Sequence, residues 1–180
     1  MMKLFDEIPY IEGEGIILRA LEDKDADALG RLTGNDDVYK YLPTFLFERQ
    51  YDDMHEVIRN VYGDLFVNKE SLILAVCDSA GGEFSGLAEF YGYKDSIRKI
   101  SIGYRLLKEC WGRGIATRTV AAMVDYLYPV TDVEIITAST MVENKASFRV
   151  LEKNDFDLVV SGAEEDWGFD GPTLADKWVR

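Results

Sequence analysis

The stretch Gly103-Tyr-Arg-Leu-Leu-Lys-Glu-Cys-Trp-Gly-Arg-Gly-Ile-Ala-Thr-Arg-Thr-Val-Ala-Ala-Met-Val-Asp-Tyr-Leu127 decides the fold, because its period changes halfway along. It starts as an apolar extended run and turns at Gly112 and Gly114. It then continues with apolar residues at 116, 120, 123, 124 and 127, a helical spacing. The pattern is strand, glycine turn, helix. Alternating glycines at a helix start let the backbone pass close to a ligand, and they leave the first helical N–H groups unpaired and pointing outward. With the helix dipole and the charges of Arg113 and Arg118 beside it, such an end suits a phosphate. Taken alone, the stretch is explained equally well by a tight strand-to-helix connection that binds nothing.

The neighbouring segments narrow the choice. Upstream, residues 72–77, 84–93 and 99–107 read as three strands joined by short turns, the first turn being Ser79-Ala80-Gly81-Gly82. They form an antiparallel meander that leads into the glycine turn. Downstream, residues 134–139 read as a strand, 145–153 as a helix, and 156–161 and 174–179 as strands. A strand, helix and strand around the glycine turn require a crossover, so the predicted sheet is mixed.

Toward the amino terminus, 16–21 reads as a strand, and Asp23 and Asp25 are candidate caps for a helix carrying Ala26, Leu29 and Leu32. A second helix starts at Asn35-Asp36-Asp37 and breaks near Pro43. A longer one is predicted over 48–67, with Tyr51, Met54, Val57, Ile58, Val61 and Leu65 on one face and His55 off it. The patch 162–171, with Glu164, Glu165, Asp166 and Asp170, reads as a solvated hairpin loop. Its Trp167 and Phe169 are candidates for a cleft rim or a dimer contact.

Composition sets outer bounds. A chain of 180 residues predicts one domain, 1–180, and 47% hydrophobic residues are enough to bury a sizeable core. No run approaches the ~20 apolar residues of a membrane span, and the first residues lack a signal core, so the expected location is cytoplasmic. Cys77 and Cys110 have no metal-type or redox spacing, and the single histidine, His55, has no placed partner; no metal is expected. The net charge of −13 disfavours nucleic acid and anionic lipid, and tilts the choice of substrate toward cations.

The chain resembles the GNAT superfamily of acyl-CoA N-acyltransferases, in particular the branch of ribosomal-protein N-terminal alanine acetyltransferases. Trp111-Gly112-Arg113-Gly114-Ile115-Ala116 looks like that family's coenzyme A pyrophosphate loop, and Ile102-Gly103-Tyr104 like the strand entering it. Thr137-Ala138-Ser139-Thr140, then Asn144, Ser147, Val150-Leu151-Glu152-Lys153 and Phe156, look like the next motif. Segments 15–29 and 37–42 resemble the amino-terminal part, so the likeness spans nearly the whole chain in order. Ser101 stands where branch members commonly carry an acidic residue, Lys108 where proline is common, Arg118 where glutamate is common, and Asp155 where the helix usually ends in glycine. Aspartate accepts the left-handed conformation at modest cost.

The resemblance implies an α/β (α+β) fold, with a mixed, mostly antiparallel sheet of about seven strands and helices on both faces. It implies an N-acetyltransferase that passes the acetyl group of acetyl-CoA directly to a primary amine, either a protein N-terminus or a small amine, with no acyl-enzyme. Trp111, Gly112, Arg113, Gly114, Ile115, Ala116 and Thr117 would form the coenzyme A loop. The backbone of Arg105 and Leu106 would pair with the pantetheine arm, the Leu106 N–H facing the thioester oxygen. Asn144 would contact that arm, and Ser147 would serve the leaving thiolate. Glu89 is the first candidate base, with Tyr91 on the same strand face as alternate. Cys110 as a nucleophile lacks a histidine partner nearby. A homodimer is expected by family analogy alone. The competing readings are an acyl-CoA-binding regulatory module without chemistry and a doubly wound nucleotide-binding protein. The glycine turn lies too late in the chain for the latter.

Overall fold

The computed structural model describes residues 1–180. Its strands are β1 (Ile11–Gly13), β2 (Ile16–Arg19), β3 (Ser71–Asp78), β4 (Phe84–Lys94), β5 (Lys99–Leu106), β6 (Ile135–Met141), β7 (Asp157–Glu165) and β8 (Thr173–Val179). The helices are α1 (Ala26–Thr33), α2 (Asp36–Tyr39), α3 (Met54–Glu56), α4 (Tyr62–Val67), α5 (Ile115–Val130) and α6 (Lys145–Lys153). All eight strands join one sheet in the order β1-β2-β3-β4-β5-β6-β8-β7. Neighbours are antiparallel except β5 and β6, which run parallel because α5 crosses between them. The expected mixed, mostly antiparallel sheet is present, with eight strands rather than about seven. The additional one is β1, too short at three residues for alternation to show in the sequence.

The two faces of the sheet differ in chemistry. One face carries Leu72, Leu74, Phe90, Ile100, Ile102 and Ile136, all buried. It lies under α6, whose Phe148 meets Trp178 edge to face, and under α5, which Asn154 ties to α6 by donating to the Thr117 carbonyl at 3.2 Å. Each such aliphatic side chain contributes about 2 kcal/mol by leaving water. On the opposite face, cross-strand pairing puts Ser71, Tyr91, Ser101 and Thr137 in one polar row over four strands. The Ser101 and Thr137 hydroxyls lie 2.8 Å apart within it. That face lies toward α1–α4.

The helix expected over 48–67 is interrupted. Residues Phe47–Gln50 form a short 3-10 turn and Tyr51 is extended, so Asp53 has to start a new helix, its side chain accepting the His55 N–H. A π turn over Val57–Val61 joins α3 to α4. The break follows from Glu48, which is drawn wholly into the interior by Arg105 and cannot continue an amphipathic helix in register. At the start of α1, Asp25 does not cap its own helix; its carboxylate accepts the Glu22 N–H at 2.8 Å and a two-pronged bond from Arg19. The expected loop over 162–171 is shorter, because β7 runs to Glu165.

Candidate active site

The parallel pairing of β5 with β6 covers only Lys99–Ser101 against Ile135–Thr137. Beyond Ser101 the two strands splay, and residues 102–106 of β5 have no strand partner on that side. The Leu107 N–H donates to the Ser85 carbonyl on β4 at 2.9 Å, so by strand alternation the Leu106 N–H points the other way, into the gap. The Leu106 carbonyl there accepts the Trp111 indole N–H at 3.0 Å. Gly86 makes this geometry possible: a Cβ on it would overlap the Arg105 carbonyl and lie 2.8 Å from the Leu106 Cα.

The glycine turn closes one end of the gap. Gly112 and Gly114 have φ of 70° and 73°, and a Cβ on either would meet nothing within 4 Å. Glycine is needed for the left-handed backbone, and the space beside it is open. The Arg118 N–H makes the first intrahelical bond, to the Gly114 carbonyl at 3.1 Å, and no side chain caps the helix. The N–H groups of Ile115, Ala116 and Thr117 are therefore the orphans of this terminus. The charges differ from expectation. Arg118 turns away to the Glu14 carbonyl at 3.2 Å, and Arg113 is the one loop residue that does not line the cavity. Arg149 and Lys153, one turn apart on α6, line it instead.

Asn144 caps α6, its side chain accepting the Ser147 N–H at 3.2 Å. The Ser147 hydroxyl meets the Tyr104 hydroxyl at 2.9 Å, so a side chain from β5 orients it across the gap. Burial pushes the Tyr104 phenol above its ordinary value, which keeps it protonated and able to donate. Asp155 takes the left-handed conformation at the end of α6, with φ of 56°, in place of a glycine.

The gap opens through the sheet into a cavity of about 1450 Å³ that reaches from the glycine turn to the polar face. Glu89 stands on that floor beside Gly103, its side chain 20% exposed and accepting the Ser71 hydroxyl at 3.0 Å. Burial pushes its carboxyl above the ordinary carboxylate value, while Arg105, 3.8 Å away, and Ser71 hold it back. Burial also raises the Tyr91 phenol, as do the nearby carboxylates Glu89 and Glu165. The Arg105 N–H and carbonyl point toward β4 and not into the gap, and its guanidinium is buried, bonding Glu48 at 2.7 Å and the Tyr39 hydroxyl at 3.2 Å.

The roof is the segment 41–47, with Tyr41, Phe45 and Phe47 lining the cavity. It is fastened by the Thr44 N–H and hydroxyl, which donate to the Trp167 carbonyl at 2.8 Å and 3.2 Å. Trp167 is buried against Met141 and Tyr41, not displayed in a solvated loop. Its indole N–H donates to Glu165 at 2.9 Å, and Glu165 in turn pairs with Lys177.

The structure thus brings Gly112, Gly114, Ile115, Ala116, Thr117, Trp111, Arg105, Leu106, Asn144, Ser147 and Glu89 around one cavity. Residues missed by sequence reasoning are Tyr104, Ser71, Arg149 and Lys153. Only the i, i+4 spacing of the last two was visible beforehand. Cys110 is buried and unpaired, and His55 is exposed, 3.7 Å from Asp23.

Comparison with known proteins agrees with this geometry. The family described as "Acetyltransferase (GNAT) domain" matches residues 16–157. An uncharacterized N-acetyltransferase of Bacillus subtilis, YoaA, is 25% identical over 150 residues, covering 82% of each chain. Among solved structures, Mycobacterium smegmatis RimJ in complex with CoA-disulfide aligns with a TM-score of 0.82 at 19% identity, over 100% of this chain and 90% of that one. Vibrio cholerae spermidine N-acetyltransferase, in complex with CoA and spermine, aligns at 0.76 with 21% identity, over 92% and 95%. No helix here is long and apolar enough to cross a membrane. The family match covers most of the chain and the structural likeness covers the fold: the chain belongs to the GNAT acetyltransferase family and is an acetyl-CoA-dependent acyltransferase.

Proposed function

We propose that the chain transfers the acetyl group of acetyl-CoA directly to the primary amine of a cationic acceptor, a small amine or a protein N-terminus, in the cytoplasm. The observation that carries this reading is the single cavity joining the glycine turn to Glu89 through the β5–β6 gap. In it, the N–H groups of Gly114 to Thr117 hold the pyrophosphate, with Arg149 and Lys153 adding positive charge. The pantetheine arm fills the unpaired edge of β5 as an added strand, alongside Asn144. The Leu106 N–H faces the thioester oxygen and stabilises the oxyanion as the amine attacks. Ser147, oriented by Tyr104, donates to the departing thiolate.

Glu89 takes the proton of the acceptor ammonium. Its burial favours the protonated form, which suits a carboxylate base facing an amine. Aromatic Tyr41, Phe45 and Trp167, with Glu89, Glu165 and Asp166, offer a cationic chain both π faces and carboxylates. The name of the Vibrio relative, a spermidine acetyltransferase, supports a polyamine, and the likeness to RimL, described as a ribosomal L7/L12 alpha-N-protein acetyltransferase, supports a protein N-terminus. The lining favours the former, because Glu89, Glu165 and Asp166 offer more than one carboxylate to a chain with several amines.

The test is free-thiol release from acetyl-CoA with spermidine, an aminoglycoside and peptides with free N-termini. At least one amine should turn over, the polyamine fastest. Coenzyme A binding without thiol release from any of them would instead leave a binding module of the same fold.

A further inference from the structure

One guanidinium in this cavity wall serves two carboxylates. Arg105 Nη2 lies 2.7 Å from Glu48 Oε1 and 3.8 Å from Glu89 Oε2. The Arg105 and Glu48 side chains are 3% and 1% exposed, whereas Glu89 reaches the cavity. Glu48 also accepts the Tyr62 hydroxyl at 3.3 Å, and its Oε2 is buried with no hydrogen-bond partner. Arg105 is therefore the principal compensation for Glu48, and removing it would leave a bare buried charge. Burial alone would lower the proton affinity of Arg105, but Glu48 and Glu89 more than offset it, so the guanidinium stays charged. The groups facing Glu89 are Ser71 on β3, Tyr91 on β4, Arg105 on β5, Glu48 on the 3-10 turn and Tyr62 on α4. Arg105 is the one cation among them.

We propose that Glu48 is a positioning residue for proton transfer: by holding the single guanidinium of Arg105 at 2.7 Å, it leaves Glu89 as the carboxylate that takes the acceptor's proton. Glu48 offsets part of the Arg105 charge, so Glu89 faces a weakened cation in a low-dielectric wall, where the neutral form is favoured. In the step itself an N–H bond of the acceptor ammonium breaks, its electron pair stays on nitrogen, and the proton forms an O–H bond on Glu89. The ammonium loses one positive charge as the Glu48–Arg105–Glu89 trio loses its one net negative charge. No charge is therefore left uncompensated in the wall. The neutral amine carries its lone pair to the thioester carbon. Glu48 itself touches neither the acceptor nor acetyl-CoA. The inference rests on the reading of Glu89 as the base.

The test is a direct titration that needs no acceptor. Glutamate is labelled with 13C at the side-chain carboxyl, and the resonance missing from Glu89→Gln is followed with pH. In wild type its midpoint should lie above the range of the exposed glutamates. Glu48→Gln keeps the bond to Arg105 but removes the competing charge, so the proton affinity of Glu89 should fall by roughly three- to tenfold. The double variant Glu48→Gln/Arg105→Met removes the buried pair together, a change cores tolerate. There the affinity of Glu89 should rise instead, because the nearer, positive member is lost; this arm keeps the test decisive if the single variant does not fold. Equal midpoints in wild type and the folded variants would overturn the inference. With spermidine, the acid limb of kcat/KM should vanish in Glu89→Gln and move to lower pH in Glu48→Gln. A limb that persists in Glu89→Gln would refute Glu89 as the base, whereas one lost there but unmoved in Glu48→Gln would refute only the role of Glu48.

Discussion

Gly114 illustrates how one residue's backbone decides a site. Its φ of 73° requires glycine, and the space a side chain would take is open, with no protein atom within 4 Å. Gly114→Glu should weaken coenzyme A binding by at least about tenfold, because it places a side chain and a negative charge in front of the orphan N–H groups. The left-handed conformation costs the variant only about 1–2 kcal/mol of stability. Calorimetric titration with coenzyme A, with circular dichroism to confirm folding, checks this; unchanged affinity in a folded variant would remove the pyrophosphate from this turn. The glycines were legible in the sequence because only a few residue types tolerate this geometry. The true positions of Arg113 and Arg118 were not, because a long side chain at a helix start can turn either way, and Arg118 found the Glu14 carbonyl.

Among the elements, β2 and α1 are joined by the ion pair of Arg19 with Asp25, whose side chains are 9% and 3% exposed. Burial pushes the Asp25 carboxyl up, but the Arg19 guanidinium and the Glu22 N–H bring it below the usual carboxylate value. A folded value below the unfolded one means that the pair's stabilisation is complete above ~3.9 and is lost as pH falls through the folded value. Asp25→Asn should cost about 3 kcal/mol at neutral pH by leaving Arg19 buried without its counter-charge. Urea unfolding at descending pH should show the wild-type and variant stabilities converging in acid. A gap that stays constant would mean that the carboxylate charge is not what holds β2 to α1. Of the acidic pair expected as caps, Asp25 closes a capping box on the Glu22 N–H of the 3-10 turn before α1 and is in addition an ionic tie, since pairing with Arg19 depends on β2 lying alongside. The interrupted helix at 48–67 has a similar cause. Its apolar spacing was visible, but the partner that draws Glu48 inward lies 57 residues away in the sequence.

At the scale of the molecule, the end of the cavity at the polar face is closed by a contact between two segments distant in the chain, Thr44 and Trp167–Gly168. Gly168 has φ of 82°, and a Cβ on it would overlap the Thr44 hydroxyl. Gly168→Ala should therefore push the 41–47 roof off the cavity. The KM for the acceptor should rise several-fold while coenzyme A affinity, set at the other end, is unchanged. Steady-state kinetics with spermidine beside coenzyme A titration separates the two. Equal changes in both would mean that the contact supports the whole fold and not the roof.

The sequence by itself determined the local elements and their order: the meander, the glycine turn, the crossover helix and the helix over 145–153. Each depends on short-range rules of period, capping and allowed φ, and the ordered motifs pointed to the family before any contact was known. What only the tertiary structure decided was which side chains meet: Ser147 with Tyr104, Glu89 with Ser71, Arg105 with Glu48, and Trp167 with Thr44. These pairings depend on the splay of β5 from β6, on strand register and on the fold of a roof over a polar floor. The physical reason is that burial and charge compensation are properties of a three-dimensional neighbourhood. No spacing along the chain encodes that one buried guanidinium must be shared between two carboxylates.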